Sequence, residues 1–296
     1  MVRKSIILLL CLLIWGCGEK NEINSLDSIK LNEQIIPEWQ EDLEFNGVPE
    51  AANKKKVRIS ILDSGINYLH EDLNGKVVKS YNAIDEGQPI SDVAGHGTAI
   101  AGIIAANDNR KGIIGVFPNV ELYDVKVLDD EGKGGVESIV KGIYWSIEEN
   151  VDIINLSFGL QSDNKMLREA VEEALSAGII LVAAAGNTYS LGTDYPAAYE
   201  GVYSITAVDK NFQRLSSSAK GKIDFAAPGE NVLSTNHLGE YSYYTGTSFA
   251  TAYATGIIAI FLSEFEQPEL IFEKVKEAAL TLEDKNSYGY GLLKLY

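Results

Sequence analysis

Cysteine is almost absent from this chain. Its 296 residues hold two, Cys11 and Cys17, both near the start, so no pair of thiols is available to brace a folded body and stability must come from a packed core. Histidine is as scarce: His70, His96 and His237 stand far apart, and without a Cys/His cluster a zinc site of the usual spacing is excluded. Positive charge is in deficit, with 25 Lys and Arg against 42 Asp and Glu and a net charge of −17. Such a chain offers no cationic face to phosphates, and no nucleic-acid partner is expected. The apolar run near the start, residues 6–15, has ten residues, about half the ~20 that a helix needs to cross a bilayer. There is no internal repeat and no low-complexity tract.

What is present is the material of one large α/β domain, with 46% hydrophobic residues to fill its core. The start is different in kind. Arg3 and Lys4 precede the apolar run, which ends at Gly16-Cys17, a signal-peptide pattern over residues 1–16. Residues 17–34 are polar and aperiodic, as a tether would be. Beyond them short apolar runs at 57–62, 120–128, 151–157, 179–185 and 202–208 read as buried strands. Between them lie helical stretches: 135–150 sets Ile139, Ile143 and Ile147 on one face, and 167–177 repeats this with Val171 and Leu175. The alternation predicts a three-layer α/β domain over 35–296, a mostly parallel central sheet covered by helices on both faces.

Three segments carry chemistry: Asp63-Ser64-Gly65, Gly95-His96-Gly97-Thr98 and Gly246-Thr247-Ser248-Phe249-Ala250. A serine hydroxyl is a poor nucleophile at neutral pH; it needs a base to take its proton and a carboxylate to fix that base. Asp63 is delivered by the end of a strand, where open α/β sheets gather their functional groups. His96 opens an apolar helical stretch. Ser248 precedes the small and apolar residues 249–262, so it begins a buried helix whose dipole favours negative charge at the reacting centre. The residue two after Ser248 is Ala250 and no histidine follows, which excludes the Gly-x-Ser-x-Gly elbow arrangement. Ala183-Ala184-Ala185-Gly186-Asn187 adds an amide donor for an oxyanion.

In the order Asp, His, Ser, and in connecting segments such as Asn155-Leu156-Ser157-Phe158-Gly159, the chain from about residue 34 onward resembles the subtilisin-like serine peptidases. One departure is Ala252, where the family usually has proline. The resemblance implies a subtilisin-like fold and a serine endopeptidase acting on peptide or protein substrates, with no cofactor for catalysis. It implies Asp63, His96 and Ser248 as the triad and Asn187 as the oxyanion donor. It implies that a substrate strand pairs with Ser157, Phe158 and Gly159 on one side and Ala184, Ala185 and Gly186 on the other. The pocket base maps onto Asp194, whose carboxylate would favour Lys or Arg before the scissile bond.

The loop 107–112 matches the family's structural calcium loop, with Asp72 and Asn109 as metal ligands. Ile14-Trp15-Gly16-Cys17 is similar to a bacterial lipobox, a resemblance that implies Cys17 as a lipid anchor and an exported, membrane-attached lipoprotein. Trp39 and Asn46-Gly47-Val48-Pro49 read as the start of the mature domain, leaving no room for the usual folding prodomain. A separate folding or inhibitory partner is then an option. Two narrower readings stay open: a dedicated maturation protease for one peptide precursor, and a non-catalytic peptide-binding surface protein.

Overall fold

The computed structural model describes residues 28–42 and 55–295. The signal segment, Cys17 and most of the polar tether lie outside the described residues. The described end of that tether already touches the body: Ile29 exchanges backbone hydrogen bonds with Tyr241, at 2.8 and 3.1 Å, and a short helix α1 (Glu38–Asp42) follows. Trp39 on α1 is buried and its indole N–H donates to the Glu230 carbonyl at 2.9 Å.

Seven strands form the central sheet among the described residues: β1 (Val57–Asp63), β2 (Val77–Asn82), β3 (Val120–Lys126), β4 (Ile153–Leu156), β5 (Ile180–Ala184), β6 (Tyr203–Val208) and β7 (Phe225–Pro228). Their order is β2-β3-β1-β4-β5-β6-β7, and all neighbours run parallel. The mostly parallel three-layer α/β architecture expected from the sequence is therefore what the chain adopts. Strands β1 and β4 to β7 are buried nearly throughout, and β5, Ile-Leu-Val-Ala-Ala, accordingly reads as a continuous aliphatic run. A separate antiparallel ribbon pairs β8 (Val232–Thr235) with β9 (Tyr241–Tyr244).

Helices cover both faces. On one lie α2 (His96–Ala105) and α5 (Thr247–Phe265), packed with Ile59, Ile61, Ile153 and Val182 of the sheet into the larger core. On the other lie α3 (Val136–Glu148) and α4 (Lys165–Ser176), packed on Leu62, Val125, Ile154 and Leu181. Each fully buried Ile or Leu stabilises the fold by about 1.5–3 kcal/mol, so two such cores replace the missing disulfides. Helix α5 is long and apolar enough to cross a membrane, but 83% of it is buried in this domain, as befits a core helix. Two further helices, α6 (Pro268–Ala278) and α7 (Lys285–Tyr288), close the C-terminal end.

Strand order reverses about β1: the chain fills β2 and β3 on one side, then β4 to β7 on the other. The crevice beyond the carboxyl ends of β1, β4 and β5 is where such sheets hold ligands. Asp63, Ser157 and Asn187 all lie at those ends.

Candidate active site

Asp63 is the last residue of β1 and 1% exposed. The backbone N–H of Ser64 donates to its Oδ1 at 2.8 Å. His96 begins α2, and its Nδ1 lies 2.8 Å from Asp63 Oδ1 and 2.9 Å from Oδ2. The glycines around both residues have a reason: a Cβ on Gly97 would stand 2.1 Å from the Gly65 carbonyl oxygen, so helix and turn can meet only without side chains there. Burial pulls the His96 imidazolium down, but the charge and hydrogen bond of Asp63 and the charge of Asp92 outweigh it and hold the ring above its ordinary value. An imidazole fixed through Nδ1 presents Nε2 as the basic atom.

Ser248 is the second residue of α5. Its hydroxyl donates to the Ser157 carbonyl at 2.8 Å. The next residue, Phe249, places its ring 5.4 Å from that of His96, so the start of α5 and the start of α2 face each other. The Ser157 hydroxyl has one proton, and Asn155 Oδ1 at 2.9 Å is a better acceptor for it than the Ser248 carbonyl at 3.2 Å. The Asn155 amide in turn donates to Thr255 on α5 at 2.9 Å. Strand β4 is thereby pinned to the helix that carries Ser248.

Asn187 follows β5. Its Oδ1 accepts from the N–H of Thr247 at 3.3 Å and from the Thr247 hydroxyl at 3.2 Å. That leaves Nδ2 as the end of the amide with donors to spare. Gly246, at φ 148, has its Cα within reach of this amide: a Cβ there would lie 3.5 Å from Nδ2.

Asp194 lies between the two backbone segments expected to flank a substrate. Its N–H donates to the Ala185 carbonyl at 2.9 Å, and the neighbouring Tyr195 pairs with Leu160 at 2.7 and 2.8 Å. Its side chain fills the space a Cβ would take on either glycine, with Oδ2 2.8 Å from the ideal position on Gly159 and 2.3 Å from that on Gly186. The residue is 9% exposed, and burial pushes its carboxyl above the ordinary value. Phe158 and Ala184 line the same two segments.

The remaining expected positions fall elsewhere. Asp72 is fully buried; it accepts from Asn109 Nδ2 at 2.9 Å, the Ile113 N–H at 3.0 Å and the Tyr241 hydroxyl at 2.8 Å. Among the described residues no cluster of three or more His, Cys, Asp or Glu could hold a metal. His70 is buried with Nδ1 accepting from the Asp72 N–H at 3.1 Å and Nε2 donating to the Glu240 carbonyl at 3.0 Å. Sequence reasoning missed three residues of the site: Asp92, Asp124 and Lys126. Lys126 is 7% exposed, and its ammonium donates to the carbonyls of Ser64 at 2.6 Å and Ser91 at 3.1 Å and to Asp130 at 3.1 Å. A charged pair inside the buried strand at 120–126 was the signal that could have found two of them.

Comparison with known proteins agrees with this picture. The family model described as "Subtilase family" matches residues 54–291. The chain is 41% identical over 267 residues to a thermostable alkaline protease of Halalkalibacterium halodurans, covering 88% of this chain and 72% of that one. It is 39% identical over 246 residues to subtilisin DY of Bacillus licheniformis, covering 81% and 89%. An intracellular serine protease of Paenibacillus polymyxa is 35% identical over 291 residues, covering 90% and 88%. The chain belongs to the subtilase family and is a serine endopeptidase.

Proposed function

We propose that Ser248 is the nucleophile, His96 the general base and acid, Asp63 the carboxylate that orients His96, and Asn187 the oxyanion donor. The observation that carries this reading is the two-oxygen contact of Asp63 with His96 Nδ1, at 2.8 and 2.9 Å, facing the start of α5. Attack requires the Ser248 hydroxyl to leave the Ser157 carbonyl and turn to His96 Nε2, a rotamer change of the kind that completes catalytic hydrogen bonds when substrate binds. His96 then takes the proton and Asp63 balances the imidazolium. The oxyanion receives Asn187 Nδ2 and the backbone N–H of Ser248, at the positive end of α5. The acyl-enzyme forms as His96 passes its proton to the leaving amine, and water repeats the sequence to release the acid.

Substrate backbone would pair with Ser157, Phe158 and Gly159 and with Ala184, Ala185 and Gly186. Asp194 would favour Lys or Arg before the scissile bond: among the described residues nothing hydrogen-bonds its carboxylate, and a buried charge without a partner is costly. A basic preference also suits a protease that matures one precursor. The test is digestion of a mixed peptide library by the full chain beside Ser248→Ala, with cleavage sites read by mass spectrometry. Cuts after Lys and Arg that vanish in the variant support the reading, and cuts that persist in Ser248→Ala overturn it.

Calcium belongs to the same proposal. Asp72 and Asn109 now bond each other and the N–H groups of Ile113 and Lys111; turned to an ion with the loop carbonyls, their oxygens would supply the hard donors that suit calcium. Its role would be to brace the loop; the melting temperature with and without chelator reads it. We also propose that Cys17 carries lipid and holds the protein outside the cytoplasm, which labelled fatty acid would show by its loss in Cys17→Ser.

A further inference from the structure

Four residues before His96 stands Asp92, a carboxylate that the steps above do not use. It is 8% exposed and accepts four hydrogen bonds. Its Oδ1 takes the Ser64 hydroxyl at 2.8 Å and the Gly95 N–H at 2.7 Å; its Oδ2 takes the Thr98 N–H at 2.9 Å and the Thr98 hydroxyl at 2.6 Å. These fill the lone-pair sites of an ionised carboxylate.

The Ser64 hydroxyl has one proton to give, and Asp63 Oδ1 at 3.3 Å is the poorer acceptor than Asp92 Oδ1 at 2.8 Å. The proton therefore points to Asp92, and the Ser64 oxygen accepts the Gly97 N–H at 3.0 Å. Asp63 is left to the Ser64 N–H and to His96. Thr98 Oγ1, having donated to Asp92, accepts the Asn67 N–H at 2.8 Å. One carboxylate thus joins the turn leaving β1 to the first turn of α2, at the end of the helix where a negative charge is favoured.

We propose that Asp92 is a positioning residue for proton transfer: through Ser64 and the first turn of α2 it fixes His96 against Asp63 and sets a second negative charge behind the imidazolium. This rests on the triad reading above. The charged and titratable groups around this centre are Asp63 from β1, Asp124, Lys126 and Asp130 from β3 and its loop, His237 from the turn between β8 and β9, whose Nδ1 stands 2.4 Å from the ideal Cβ position of Gly95, and Tyr244 of β9. Burial raises the Asp124 carboxyl well above its ordinary value, and Lys126 is turned to the carbonyls of Ser64 and Ser91 and to Asp130. Asp63 and Asp92 are the two charges that act on His96.

A helix cap alone would change stability and nothing else, so the test reads proton transfer. With the full chain and a peptide substrate, Asp92→Asn is expected to lower kcat about 10–100-fold, the scale of one charge-assisted hydrogen bond. KM should stay within about two-fold, and the acid limb of kcat/KM should move to lower pH as the imidazolium loses a counter-charge. Ser64→Ala should move the same limb the same way by less. The double variant should be no worse than Asp92→Asn, because the two act as one unit.

An acid limb unmoved in both variants, or losses in kcat that multiply, overturns the proposal. If Asp92→Asn does not fold, Ser64→Ala, which deletes one hydroxyl, decides on the acid limb alone. A titration of the His96 ring by NMR in the Ser248→Ala background separates this from the triad reading. Should the unmodified chain cleave nothing, the triad reading fails, while a lower His96 pKa on adding Asp92→Asn still supports the role of Asp92 and an unchanged one overturns it.

Discussion

The two walls of the cleft are built to different rules. On the wall made by β1 and α2, the polar groups around Asp63, Ser64, Asp92, His96 Nδ1 and Thr98 have partners, at 2.6–3.0 Å. On the wall made by β4, β5 and α5, bonding capacity is held back: Ser248 rests on a backbone carbonyl, Asn187 has only its oxygen engaged, and nothing among the described residues bonds the Asp194 carboxylate. The difference is the one that the proposed roles of the two walls call for. A base does its work with a geometry that never changes, and preorganised hydrogen bonds cost nothing at the moment of reaction. A nucleophile, an oxyanion donor and a pocket must exchange partners with substrate, and groups already satisfied would have to be broken first.

The sharpest way to break this comparison is at the exchanging wall. Ser248→Ala should abolish turnover by about 10⁶-fold, the scale known for that change in subtilisin itself. Stability should hardly change, because the hydroxyl makes one hydrogen bond at a helix end. Burst and steady-state assays with an ester substrate check it, and any residual burst counts against Ser248 as the nucleophile. Asn187→Ala should cost about 10²–10³-fold in kcat at nearly constant KM, again the scale known in subtilisin. An equal rise in KM would mean that the amide binds ground-state substrate and not the developing charge.

Next in size is Asp194→Ser, which tests whether the pocket's unpaired carboxylate awaits a cation. Cleavage after Lys should fall about 10–100-fold, the worth of a hydrogen bond to a charged group, while cleavage after Leu should hold or rise. Because burial holds the Asp194 carboxyl above its ordinary value, the unmodified enzyme should lose its Lys preference on acidification sooner than an exposed aspartate would allow. Competing Lys and Leu peptides across pH give both results in one series; equal ratios in the two proteins would remove Asp194 from specificity.

Much of this arrangement was legible in the sequence because it rests on patterns that burial enforces. Strands β1, β4, β5 and β6 fall within two residues of the expected limits, being largely buried on both faces. Strand β2 left little trace: Val-Val-Lys-Ser-Tyr-Asn is half-exposed at the sheet edge, and its pairing with β3 defines it more than its own composition. The closeness of Asp63 to His96 is what the family resemblance implied, whereas the parking of Ser248 on Ser157 left no trace in the sequence. Asp92 was invisible for another reason. A lone aspartate in a polar loop looks like solvent-facing charge, and only the fold folds it back onto Ser64 and the α2 N–H groups.

The smallest expected effect tests whether the fully bonded wall has a weak point, and it lies beneath that wall at Asp124. This side chain is 1% exposed; its Oδ2 accepts the Ile66 N–H at 3.3 Å and its Oδ1 has no partner among the described residues. Burial first, and the charges of Asp92 and Asp63 after it, raise its carboxyl well above the ordinary 3.8. The native state therefore holds a proton that the unfolded chain releases, so stability falls as pH rises from about 4 to the native value and then levels off. Asparagine has the same shape and no proton to lose. Asp124→Asn should match the parent near pH 4 and gain on it steadily as pH rises, by up to about 1–3 kcal/mol, the scale of one unsatisfied buried group. Denaturant midpoints across that range check it. A constant difference at every pH would mean that Asp124 ionises freely, and that its burial beside Asp63 and Asp92 costs the fold nothing.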